Sequence, residues 1–138
     1  MLSLSIVDVK DFMGKLLKSD GFDGFDFHSF CLHNFAVFEI SKHPEQSIKT
    51  WGTMRPYAFE IVKGVHLPSY MKVVLAQMQD ENTMFLNITF DDGKIIITSG
   101  MAQRSFSMDK SSYHRWNEHI KDFLQANEIL FTNNMEEN

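Results

Sequence analysis

Phe85-Leu86-Asn87-Ile88-Thr89-Phe90-Asp91-Asp92-Gly93-Lys94-Ile95-Ile96-Ile97-Thr98 is the stretch that decides the fold. Two β-rich runs flank Asp92-Gly93, and a two-residue Asp-Gly link selects a tight hairpin because the turn needs positive φ, which glycine adopts cheaply. With that turn, Phe90 pairs with Ile95 and Ile88 with Ile97. Leu86, Ile88, Phe90, Ile95 and Ile97 then share one face, and a slip of one residue would expose all of them. Asp91 stands opposite Lys94 beside the turn, an exposed pair worth under about 1 kcal/mol. Ser99-Gly100 reads as a second reversal leading into Gln103–Phe106. The stretch predicts an antiparallel sheet with one buried face covered by helices, and it carries no reactive group.

Working outward, Leu2-Ser3-Leu4-Ser5-Ile6 alternates apolar and polar residues and predicts a strand. Asp8 can cap a helix whose apolar stripe is Val9, Phe12, Met13, Leu16 and Leu17, with Asp11 in the first turn and Ser19-Asp20-Gly21 as the stop. Two strands are expected near Phe25–Leu32 and Phe35–Ser41, with a reversal around His33-Asn34. Lys42–Thr50 reads as a loop. Thr53 is placed as the cap of a second helix, with Pro56 in its first turn, Tyr57, Ala58, Ile61 and Val62 on one face, and Gly64 at its end. His66-Leu67-Pro68 breaks the pattern. Tyr70–Gln77 predicts a strand and Met78–Thr83 a polar loop. After the hairpin, Asp109 is placed as the cap of a third helix with Tyr113, Trp116, Ile120, Phe123 and Leu124 facing the core and Asn127 as its stop. The expected fold is therefore α+β: a largely antiparallel sheet of about six or seven strands with three helices, in the order β-α-β-β-α-β-β-β-β-α. Residues 1–130 form one domain in this reading, and 131–138 a flexible C-terminal tail.

Composition bounds the function. The 138 residues include 13 Phe and are 43% hydrophobic, enough for a real core and unlike a disordered chain. The formal charge of −5 argues against nucleic-acid binding through bulk charge. A single cysteine, Cys31, excludes an internal disulfide and a multi-cysteine zinc site, and points to a reducing, cytoplasmic setting. No segment has the length of a membrane span or the pattern of a secretion signal.

Chemistry is sparse. Cys31 lies among Phe30 and Leu32 and reads as structural; strand alternation puts His33 on its face and His28 on the other. His114 and His119 are five apart, where metal-binding helical pairs need three or four, and His114 with Glu118 lacks a third ligand. Asp20, Asp23 and Asp26 depart from the calcium-loop spacing. Gly21-Phe22-Asp23-Gly24 is no phosphate loop. No cofactor or metal is expected. Lys10, Lys15 and Lys18 on the first helix, with Arg55 and Lys63 on the second, form the one candidate nucleic-acid face, diluted by Asp11 and Glu60. Trp51, Tyr57, Phe59 and Tyr70 flank the second helix and either line a partner groove or close the core.

Two resemblances follow. Leu4-Ser5-Ile6-Val7-Asp8-Val9-Lys10-Asp11-Phe12-Met13, Arg55-Pro56, Lys63-Gly64, Phe85-Leu86-Asn87-Ile88 and the Trp116–Leu124 helix resemble an uncharacterised family of small bacterial proteins, over nearly the full length. That resemblance implies no assigned activity. The element order, with Thr53–Gly64 followed by Tyr70–Phe106, is similar to one domain of the DNA sliding clamps. It implies self-association and a helical face of Lys10, Lys15, Lys18, Arg55 and Lys63 toward DNA. The leading expectation is a non-enzymatic binding or assembly module, clamp-like or otherwise. The alternatives are an enzyme or small-ligand protein with a site assembled from Cys31, His33, Arg55, Tyr57 and His66, and a protein–protein adaptor using the aromatic cluster near Trp51. Partners are another copy of the chain or a second protein, with nucleic acid only in the clamp-like version.

Overall fold

The computed structural model describes residues 2–34, 36–42, 49–63, 68–102 and 110–134. Its elements, in chain order, are β1 (Ser3–Ile6), α1 (Val9–Leu17), β2 (Asp26–His33), β3 (Val37–Ser41), α2 (Trp51–Lys63), β4 (Tyr70–Gln79), β5 (Asn82–Asp91), β6 (Lys94–Ala102), α3 (Ser111–Ala126) and β7 (Phe131–Asn133). The strands form one seven-stranded sheet in the order β3-β2-β4-β5-β6-β1-β7, and every neighbouring pair is antiparallel. The fold is α+β, with the expected antiparallel sheet and three helices, and the described elements follow the expected order from β1 to β6.

The hairpin adopts the predicted register: Phe90 pairs with Ile95, Ile88 with Ile97 and Asp91 with Lys94. Asp92 and Gly93 both have positive φ, 53° and 76°, which matches the right-handed twist of the strands they join. Leu86, Ile88, Phe90, Ile95 and Ile97 are all buried. Across the sheet Met71, Val73 and Leu75 of β4, Phe30 and Leu32 of β2 and Leu4 of β1 continue this face.

All three helices attach to it. Phe12 of α1 meets Phe22 edge-to-face, and Phe22 meets Phe123 of α3 in the same way. Trp51 of α2 donates its indole N–H to the Leu16 carbonyl at 3.0 Å, and Trp116 of α3 donates to the Phe85 carbonyl at 2.9 Å. Each tryptophan is fully buried, so these bonds satisfy a polar group that would otherwise be stranded in the core. Ser99, the buried polar residue of β6, is satisfied likewise: its Oγ accepts the Leu2 N–H at 3.0 Å and donates to the Tyr113 hydroxyl at 3.2 Å. The other face of the sheet carries half-buried Cys31, Lys72, Val74, Asn87, Thr89, Ile96 and Thr98.

Several expectations need correction. Met78–Thr83 is not a loop: β4 and β5 run on as a long ladder joined by Asp80-Glu81, whose φ values of 51° and 69° make a second tight turn. Ser99-Gly100 is not a reversal. Gly100 has no left-handed φ and pairs with Phe85 inside β6, which stays extended to Ala102. The first part of the expected tail, Phe131–Asn133, is a strand pairing with Leu4, Ser5 and Ile6.

The start of α2 also differs. The helix begins at Trp51, because its first three N–H groups already have acceptors: Trp51 N–H bonds the Phe25 carbonyl, Gly52 N–H the Asp23 carbonyl and Thr53 N–H the Thr50 Oγ1. Thr50, not Thr53, is the side-chain cap, and Pro56 therefore lies inside the helix, beyond its first turn. Its core face is Trp51, Met54 and Ala58, while Tyr57 points outward at 59% exposure. The Asp8 cap of α1 is present, its Oδ1 accepting the Asp11 N–H at 3.0 Å. Gln103–Phe106, Gly64 and the Asp109 cap lie outside the described residues.

Candidate functional site

The apolar stripe expected on α1 divides in two. Phe12, Leu16 and Leu17 are buried, whereas Val9 and Met13 are only half-buried. The reason is that α1 and α2 lie side by side without closing on each other, and a groove of about 730 Å³ remains between them. Val9, Met13 and Leu17 form one wall, Phe59 and Val62 of α2 the other, and Phe90 of β5 reaches it from the sheet. Val9, Met13 and Leu17 follow one another at four-residue steps, so they make a continuous apolar line along α1.

The rim is cationic. Lys10 and Lys18 stand on the α1 side and Lys63 on the α2 side, all three exposed. The Lys18 and Lys63 ammonium groups lie over the same Phe59 ring, 5.9 and 5.6 Å from its centre. Lys63 also meets Glu60 at 3.2 Å.

The five cations expected to form a nucleic-acid face are thus differently employed. Lys15 bonds Asp11 and the Glu128 carbonyl, each at 3.0 Å. Arg55 holds Asp23 through two hydrogen bonds of 2.7 and 2.9 Å, and this bonding raises its already high pKa. Lys10, Lys18 and Lys63 are the three that gather, and they gather around the groove. The groove itself was not foreseen. Its signal was present in the leftover apolar residues Val9, Met13 and Val62, which are too many for two short helices to bury in the core.

The alternative site disperses. Cys31 pairs in register with Glu39 on one side and Lys72 on the other. Burial chiefly, and then Glu39, push its thiol pKa up, with Lys72 opposing, which is the reverse of nucleophile activation. The His33 and Tyr70 rings lie tilted against each other with centres 5.0 Å apart. A bulge in β2 between Phe27 and Ser29 breaks strand alternation, and His28 packs edge-to-face on Phe85 of the open sheet face, overturning the parity that set it opposite Cys31. Arg55 and Tyr57 are on α2, and His66 lies outside the described residues. Of the aromatic cluster, Trp51 is core, Phe59 lines the groove and Tyr57 is exposed. Among the described residues no three His, Cys, Asp or Glu side chains gather to hold a metal ion, and no helix is long and apolar enough to cross a membrane.

The sequence profile of a family of unknown function, DUF5721, matches residues 15–132. The chain belongs to DUF5721. The match spans the last three residues of α1, the whole β2–β6 ladder, α2, α3 and most of β7, so it contains the α2 wall of the groove and Leu17, while Val9 and Met13 of the α1 wall precede it. No curated protein and no solved structure matches the chain.

Proposed function

We propose that this DUF5721 chain is a non-enzymatic binding module of the cytoplasm and that the groove between α1 and α2 takes its ligand. One observation supports this above the others: about 730 Å³ of apolar trough stands between two helices that a sheet holds in place. That volume lies in the range of ligand sites, roughly 300–1,000 Å³, and an occupant gains about 25 cal/mol for each Å² of apolar surface it covers. The clamp-like version, with Lys10, Lys15, Lys18, Arg55 and Lys63 all facing DNA, has less support, because Lys15 and Arg55 already hold Asp11 and Asp23.

The test uses the dye 1-anilinonaphthalene-8-sulfonate, an apolar ring system with one negative charge. Its fluorescence should rise with the folded chain and saturate at one site, and methyl resonances of Met13 and Val62 should move in step. Met13→Glu and Val62→Glu, each checked for folding by circular dichroism, should abolish the rise. Dye binding that both variants retain, or no binding by the folded chain, would overturn the proposal.

A further inference from the structure

We propose that the groove receives an acidic amphipathic helix of another protein. The inference rests on the groove being the ligand site and adds the identity of its occupant. Shape is the first argument. Val9, Met13 and Leu17 run as a line about 12 Å long, at 1.5 Å per residue, and Phe59 and Val62 face them from α2. A long trough with two apolar walls suits an equally long apolar ridge, and a helix presents one at i, i+3, i+4 and i+7.

Charge is the second argument. Lys10 and Lys18 bracket the apolar line at its two ends, about 12 Å apart along the helix by the same rise. Lys63 joins Lys18 over the Phe59 ring. Both ammonium groups thus stand 5.9 and 5.6 Å from one ring centre at this end of the groove, and Glu60 pairs with Lys63. A carboxylate arriving at this end would be attracted by both. Cations at both ends of the line call for acids at both ends of the occupant. A single-headed amphiphile such as a fatty acid satisfies one end only. The net charge of −5 works against a dense polyanion, whether nucleic acid or an anionic membrane, but tolerates a segment with a few acids placed against local lysines.

The experiment displays a library of 16-residue amphipathic peptides on the folded chain. Each has Leu along one face, and Asp, Ser or Lys is varied at the remaining positions. Peptides retained should be enriched in Asp on both flanks of the Leu ridge and should displace the dye. The exposed triple variant Lys10→Glu/Lys18→Glu/Lys63→Glu should bind the best of them more weakly by on the order of tenfold or more and should prefer Lys flanks instead. Retention without charge preference, or retention that the triple variant leaves unchanged, would overturn the acidic partner. Dye binding that dodecanoate displaces and no peptide does would overturn it too, while leaving the groove as a binding site. Loss of both dye and peptide binding would remove the groove reading itself.

Discussion

The Arg55 guanidinium grips both carboxylate oxygens of Asp23, with Nε 2.7 Å from one and a terminal nitrogen 2.9 Å from the other. The pair ties the segment between α1 and β2 to α2, and the Asp23 carbonyl accepts the Gly52 N–H at the start of the same helix. Both side chains are about three-quarters shielded from solvent, and the fork-on-carboxylate geometry places the pair above an ordinary surface salt bridge. Asp23→Ala and Arg55→Ala should each destabilise the chain by about 1–2 kcal/mol, and the double variant should cost less than their sum. Urea denaturation of the four proteins measures this; simple additivity would show that the pair contributes nothing of its own.

The two tight turns differ in one residue type. Asp92-Gly93 has glycine at its second position, whereas Asp80-Glu81 forces Glu81 to φ 69°. A left-handed conformation costs a residue with a Cβ about 1 kcal/mol relative to glycine. Glu81→Gly should therefore raise the melting temperature by about 3 °C. Asp80→Gly should not, because Asp80 accepts hydrogen bonds from Arg115 and Ser112 and so ties the turn to the start of α3. Differential scanning calorimetry separates the two outcomes.

Cys31 should be a slow thiol. Its pKa is raised in the folded chain, so below the pKa of a free thiol both states are protonated and folding is unaffected. As pH rises from that value through the raised folded one, the unfolded chain ionises first and stability falls. Iodoacetamide labelling of the folded protein should show a pH midpoint above that of the urea-unfolded chain. A midpoint at or below the unfolded value would revive Cys31 as a nucleophile.

Duplex DNA should bind poorly. With Lys15 and Arg55 engaged by carboxylates and an overall charge of −5, a filter-binding assay at low salt should show no steep salt dependence. A log–log slope of about −4 or steeper would instead mean that several phosphates are neutralised at once. In that case the clamp-like reading would return with these cations as its face.

What could be read in the sequence was whatever depends on neighbours along the chain. The Asp92-Gly93 turn, the Asp8 cap and the Trp116–Ile120–Leu124 stripe are local patterns, and all three are present. The failures depend on distant partners. Thr53 looked like a cap because the acceptors supplied by Asp23 and Phe25 arrive from another segment. Phe131–Asn133 is too short to show alternation, and its strand exists because β1 offers an edge. Ser99-Gly100 has the composition of a turn, yet Phe85 across the ladder keeps it extended. The groove was illegible for the same reason: Met13 and Val62 each fit a core-facing stripe, and only the spacing between their helices leaves them partly open.

The sheet order has a temporal side. Leu4 pairs with Ile97 and with Asn133, so β1 holds its place only between two strands made long after it. On a ribosome, β1 is synthesised well before either of its partners. β2 to β6 can assemble their hairpins as they emerge, while Leu2, Leu4 and Ile6 wait as an unsatisfied apolar edge until β6 has been made. The nascent chain, rather than the finished one, is where this protein is most exposed to wrong partners.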